Sequence, residues 1–155
     1  MVSNDTKGVI KLQSEDSRIE SEIEIQAFLH NMTYALDNGA EVDFQIERKI
    51  DQLRDERYTN KYTISTLFPD ENPINALKRE LKNLKLEDYI RTIKDIRFPN
   101  RGEMREFGKV YNNQDVYIKV RVKLLINAGS HIVFVMSFHF AIIPFTVDDF
   151  PYKRK

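Results

Sequence analysis

The sequence predicts an α+β domain, an antiparallel sheet of about four strands with N-terminal helices packed on one face. Three observations carry this. From Val116 to Leu124 one parity is wholly aliphatic, while the other reads Tyr117, Lys119, Arg121 and Lys123, the period-two signature of a strand with one buried face. That strand sits inside residues 106–141, where Asn112-Asn113 suits a two-residue hairpin turn needing positive φ and Asn127-Ala128-Gly129-Ser130 closes a second hairpin. Segments with helical spacing fall mostly before this region and strand-like segments mostly within it. With 155 residues and no linker, repeat or low-complexity tract, residues 1–155 read as one domain.

Residues 1–14 are polar, with a short Val9-Ile10-Lys11-Leu12 alternation, and read as a flexible tail or an edge strand. Ser17-Arg18-Ile19-Glu20 has the spacing of a capping box. It predicts a helix to about Asn38, with Ile25, Phe28, Leu29, Met32 and Leu36 inward and Gly39 as terminator. Glu41–Glu47 alternates as a strand. Arg48–Lys61 is a long charged connection or a short irregular helix, read as a solvated loop with the alternative that Arg48, Lys49, Arg54 and Arg57 sit near a ligand, and Tyr62–Leu67 fits either state. Asn72-Pro73 starts a helix, since Asn caps and proline fits the first helical position. Ile74, Leu77, Leu81 and Leu84 form its buried stripe. A second short helix is expected from Leu86 to about Lys94, then a loop over Asp95–Arg105. Ile132–His139 is apolar on both parities until Ser137 and His139 interrupt it, which predicts a central strand covered on both sides. Pro144–Lys155 is a tail (145–155 beyond its first proline), and its basic end, Tyr152-Lys153-Arg154-Lys155, reads as a frayed terminus.

The formal net charge is zero, which excludes a generic nucleic-acid coat, but the charge is uneven. Residues 101–155 carry nine Lys and Arg against five Asp and Glu, which reads either as ordinary compositional scatter or as a polyanion-binding surface confined to the C-terminal part. No apolar run approaches the roughly 20 residues of a membrane span, and the N-terminus lacks a signal-peptide core, so a soluble, cytoplasmic protein is expected. There is no cysteine, no Gly-rich phosphate loop, no HExxH and no GxSxG. His30, His131 and His139 are too scattered for a metal site, and no metal or other cofactor is called for. What remains is the Tyr117, Lys119, Arg121 and Lys123 face beside a strand ending in Ser137 and His139. RNA carries its own nucleophile, the 2′-hydroxyl. Its cleavage needs only a base, an acid and cations at the phosphoryl oxygens, an inventory this face fits, although such a stripe is more often a solvated sheet face than an active site.

The succession Leu84-x-x-Glu87-Asp88-Tyr89, Phe107-Gly108-Lys109, Asp115-Val116-Tyr117-Ile118-Lys119, Met136-Ser137-Phe138-His139-Phe140-Ala141 and Phe150-Pro151-Tyr152 resembles a branch of the MqsR (motility quorum-sensing regulator) toxin family over roughly residues 80–152. The resemblance implies a RelE-like fold and an mRNA-cleaving toxin of a type II toxin–antitoxin module. It also implies a protein antitoxin as partner, in a toxin–antitoxin hetero-oligomer. Carried over by position, it places Arg91 at an active-site lysine, Tyr117 at the family's tyrosine and His139 at its final lysine. The family's active-site glutamine falls on Gly108, a departure for which the neighbouring Lys109 is the expected substitute. His139, Tyr117, Lys109 and Arg91 are then the candidate catalytic residues, and Lys119, Arg121 and Arg105 the candidate RNA-binding ones. The Gly108 departure favours a rival expectation, a catalytically silent RNA- or protein-binding module of a mobile-element or phage-defence system.

Overall fold

The computed structural model describes residues 15–48, 55–96, 100–125 and 130–154. The expected N-terminal tail, Lys49, Arg54 and the Asn127–Gly129 turn lie outside them. The described chain runs β1 (Glu15–Arg18), α1 (Glu22–Asp37), β2 (Glu41–Phe44), α2 (Asn60–Leu67), α3 (Pro73–Lys82), β3 (Tyr89–Asp95), β4 (Met104–Tyr111), β5 (Gln114–Lys123) and β6 (Ile132–Phe140). The result is α+β, but with one six-stranded sheet of order β1-β3-β4-β5-β6-β2 in place of the expected four strands. All its pairings are antiparallel except β2 with β6. Among the described residues no helix is long and apolar enough to cross a membrane.

The Asn112-Asn113 turn sets the register of the central hairpin. Both residues have positive φ, 51° and 65°, the conformation a two-residue turn of matching twist requires. Counting back from it pairs Gly108 with Tyr117 and Glu106 with Lys119. Val116, Ile118 and Val120 point the other way, into a core shared with Phe107, Val133, Val135, Phe138 and Phe140 and with residues of all three helices. The helices therefore cover one face of the sheet.

The α1 stripe is buried as expected, and Gly39 follows it with φ 75°. Its cap, however, is Ser21, whose side chain accepts from the Glu24 amide at 3.2 Å while Glu24 accepts from the Ser21 amide at 3.0 Å. The same capping-box spacing occurs twice, four residues apart, and Ser17 is used instead in β1 opposite Ile93. Asn72 caps α3 with Pro73 in its first turn. Tyr62–Leu67 is helical, within α2.

The expected helix from Leu86 to Lys94 is instead a 3-10 turn, Leu86–Asp88, followed by β3. The Asp88 carboxylate closes that turn by accepting from the Lys85 amide at 2.9 Å. A register shift between Tyr89 and Arg91 then puts Tyr89 opposite Phe107 and Thr92 opposite Arg105. Two residues three apart thus share a face in a strand and hydrogen-bond each other at 2.8 Å, which imitates helical spacing. The tail is not frayed over its described residues. Phe150 is buried, and Tyr152 stacks on Tyr89 at 6.1 Å and donates to the Glu20 carbonyl.

Candidate functional site

The sheet face away from the helices carries a cluster of six polar side chains from four adjacent strands. Arg91, Glu106, Lys119 and Ser137 follow one another across β3, β4, β5 and β6 as register partners. The neighbouring row is Gly108, Tyr117 and His139. The arrangement depends on an irregularity in β6. Val120 pairs with Val135 and Lys119 with Ser137, so Met136 is an extra residue on the β6 side. Under plain alternation Ser137 and His139 would share the core face with Val133 and Val135. The bulge reverses the parity and turns both to the Tyr117 face, leaving Phe138 and Phe140 in the core.

A side chain from α2 holds the bulge. β2 pairs with β6 only as far as Val135, so the backbone groups beyond it have no strand partner on that side. Asn60 takes the place of one. Its amide nitrogen donates to the carbonyls of Met136 (3.0 Å) and Gln45 (2.7 Å), and its oxygen accepts from the Phe138 amide (2.9 Å). Thr63 continues the edge, accepting from the Phe140 amide at 2.9 Å. Buried main-chain groups need such partners, and α2 supplies them without a seventh strand.

Glu106, Lys119, Ser137 and His139 are only 2, 8, 1 and 6 % exposed. A carboxylate at that depth is tolerated only when paired. Glu106 receives the Arg91 guanidinium at 2.6 Å on one oxygen and the Tyr117 hydroxyl on the other. Tyr117 and His139 face each other across the strands, ring centroids 5.4 Å apart and tilted by 41°. The His139 Nδ1 lies 2.9 Å from the Phe140 carbonyl. A carbonyl oxygen only accepts, so in this contact Nδ1 carries the hydrogen. The cluster therefore combines a carboxylate–phenol pair, an imidazole and two cations.

Of the expected site residues, Arg91, Tyr117, Lys119 and His139 come together here. Arg121 shares their face further along β5 but lies 4.7 Å over the ring of Phe134. Burial, together with repulsion from Arg101, pulls its pKa down. Lys109 does not join them. One position on from Gly108 in a strand means the opposite face, and its ammonium donates to the Asn83 carbonyl at 3.0 Å, near Asp88. It therefore cannot stand in for a side chain at position 108. Arg105 also faces the helices. It binds Glu20 through two bonds of 2.8 and 3.0 Å and lies 4.8 Å over the Phe28 ring. Glu106 is the residue that sequence reasoning missed. The hairpin register, counted back from Asn112-Asn113, places it against Lys119.

Gly108 has its own physical reason. A Cβ there would lie 2.6 Å from Phe145 Cε2 and 2.9 Å from Phe150 Cζ, so the two tail rings rest directly on its backbone. They pack edge to face with centroids 5.4 Å apart, and Asp115 accepts from the Phe145 amide at 2.8 Å. The tail thus fills the space a glutamine side chain would need. Among the described residues no three His, Asp or Glu side chains are grouped to hold a metal ion. Comparison with protein-family models, with curated proteins and with solved structures finds no match to this chain.

Proposed function

We propose that the chain is an endoribonuclease of the toxin type, cleaving mRNA through its own 2′-hydroxyl on the face formed by Arg91, Glu106, Tyr117, Lys119 and His139. The observation that carries the reading is the Glu106–Tyr117 pair set beside an imidazole and two cations at the centre of the sheet. In this scheme Tyr117 takes the 2′-proton as its own passes to Glu106. The 2′-oxygen bonds to phosphorus, and the bond from phosphorus to the 5′-oxygen breaks. Protonated His139 donates from Nε2 to that leaving oxygen. Arg91 and Lys119 stabilise the charge that builds on the phosphoryl oxygens. The products carry a 2′,3′-cyclic phosphate and a 5′-hydroxyl.

The similarity of the 84–152 motifs to the MqsR family supports the same reading and extends it to a type II module with a protein antitoxin. A nuclease directed at the host's own message requires a tight inhibitor, so the reading includes a neighbour-encoded partner and action in the cytoplasm. End-group analysis of a defined RNA after incubation with purified protein tests the chemistry. Cyclic or 3′-phosphate ends, formed equally well in EDTA, support it, and 3′-hydroxyl ends contradict it. One observation favours a second reading. Phe145 and Phe150 occupy the space over Gly108 beside Tyr117, as a binding module that has dispensed with the glutamine would allow. That module would bind RNA or protein and leave the RNA intact.

A further inference from the structure

The basic end of the chain forms one wall of a cleft that the sheet cluster does not touch. The cleft, of about 770 Å³, lies on the helix side of the sheet, between the outer face of α1, the turn around Lys85 and Leu86, and Tyr152–Arg154. That volume falls within the range of sites that take small organic ligands. Its apolar lining comes from Leu29, Leu84, Leu86 and Tyr152.

Two features give it a preference. Three cations line it, Lys85 from one wall and Lys153 and Arg154 from another, against the single carboxylate of Glu87. The tail that presents two of them is anchored. Tyr152 stacks on Tyr89 and donates to the Glu20 carbonyl, and the Lys153 ammonium lies 4.9 Å from the centroid of the buried Phe150 ring. On the facing wall, the bond from the Lys85 amide to Asp88 fixes the turn. Three cations lining a cleft whose remaining surface is apolar and partly aromatic suit a ligand with phosphate at one end and a flat ring at the other.

We propose that this cleft binds a nucleotide, its phosphate toward Lys85, Lys153 and Arg154 and its base against Leu29, Leu84 and Tyr152. As one unit of a single-stranded RNA, the ligand would extend the nuclease reading above to a second contact remote from the reacting face. As a free nucleotide, it stands without that reading.

Titrations with two probes test it. One is a fluorescein-labelled eight-residue 2′-O-methyl oligoribonucleotide, which lacks the nucleophile and cannot be cleaved, followed by anisotropy. The other is AMP, followed by methyl NMR shifts at Leu29 and Leu84. The variant Lys153→Ala/Arg154→Ala should weaken binding at least tenfold. For the oligonucleotide it should also reduce the slope of log affinity on log salt by about 1.4, since each contact to a single strand contributes about 0.7. Lys85→Ala, on the other wall and away from the tail anchor, should weaken both probes in the same direction. Binding of the oligonucleotide without AMP identifies an RNA chain as the ligand, and binding of both identifies the nucleotide itself. Equal affinity in parent and both variants, or no binding of either probe, overturns the proposal. Because the cleft residues lie outside the sheet cluster, RNA cleavage by Lys153→Ala/Arg154→Ala is read separately. Cleavage retained with cleft binding absent rejects the cleft alone, and cleft binding without cleavage by any form rejects the nuclease reading alone.

Discussion

Asn60 is the residue whose loss reports most directly on how the site is held together. In Asn60→Ala three hydrogen bonds of 2.7, 3.0 and 2.9 Å disappear, and the Met136 carbonyl and Phe138 amide flanking the β6 irregularity lose their side-chain partner. At about 1 kcal/mol net for each bond, the cost is about 3 kcal/mol. For a domain of this length that is a fall in Tm of about 6–12 °C. Asn60→Asp should cost more, because an oxygen would replace the donating nitrogen and face the carbonyls of Gln45 and Met136. Thr63→Ala removes the bond accepted from the Phe140 amide and the one donated to the Thr59 carbonyl and should cost about 2 kcal/mol. Urea unfolding monitored by far-UV circular dichroism measures all three. A loss below about 1 kcal/mol in Asn60→Ala, or a milder effect in Asn60→Asp than in Asn60→Ala, would refute the idea that Asn60 serves as a substitute strand edge. Because the parity of Ser137 and His139 depends on the same bulge, RNA cleavage by Asn60→Ala should also fall at temperatures where the variant is folded.

Two further predictions concern the tail and the Glu20–Arg105 pair. Gly108→Ala forces a methyl within 3.0 Å of both tail rings and should cost about 1–3 kcal/mol, the usual range for overpacking; a variant as stable as the parent would show that Phe145 and Phe150 move aside freely. Burial pushes the Glu20 carboxyl up, but hydrogen bonds from Arg105 and Thr92 outweigh it, and the net shift is downward from 4.5. Glu20 therefore contributes stability that is present above pH 4.5 and lost as pH falls below it. Glu20→Gln should lose about 3 kcal/mol at pH 7, and its gap from the parent should narrow as the pH falls below 4.5; a gap that stays constant or widens on acidification contradicts the sign of this linkage.

The parts of the fold that could be read from sequence are those governed by local rules. Asn112-Asn113 needed only positive φ, Asn72-Pro73 only cap chemistry, and Val116–Leu124 only strict alternation. The misread parts depend on register between distant segments. Tyr89 and Thr92 share a face because of a shift against β4, so β3 imitated a helix. β2 pairs in parallel with a strand about 90 residues further on, which no local pattern announces. Of the candidate site residues, Arg91, Tyr117, Lys119 and His139 share one face of the sheet, but the reason His139 faces Tyr117 is not legible in the sequence. Read by alternation alone, His139 belongs with Val133 and Val135, and only the extra residue at Met136, fixed by Asn60 from α2, reverses that. Lys109 is the sequence neighbour of Gly108, and a strand separates neighbours onto opposite faces; Arg105, one position before Glu106, is turned to the helix side in the same way. Glu106 lay within reach of the hairpin register, yet a lone acid among cations did not suggest its role as their anchor.

The central claim is that proton transfer between Tyr117, Glu106 and His139 cleaves RNA. The measurement that tests it most directly is single-turnover cleavage of one defined RNA by the parent, His139→Ala and Lys109→Ala, each shown to be folded. A positioned acid or base contributes about 10²–10⁴-fold, so His139→Ala should slow cleavage by that factor. Lys109→Ala, on the opposite face, should change the rate by less than about tenfold, since it removes no such group. Full activity in His139→Ala, or a larger loss in Lys109→Ala, would contradict the account.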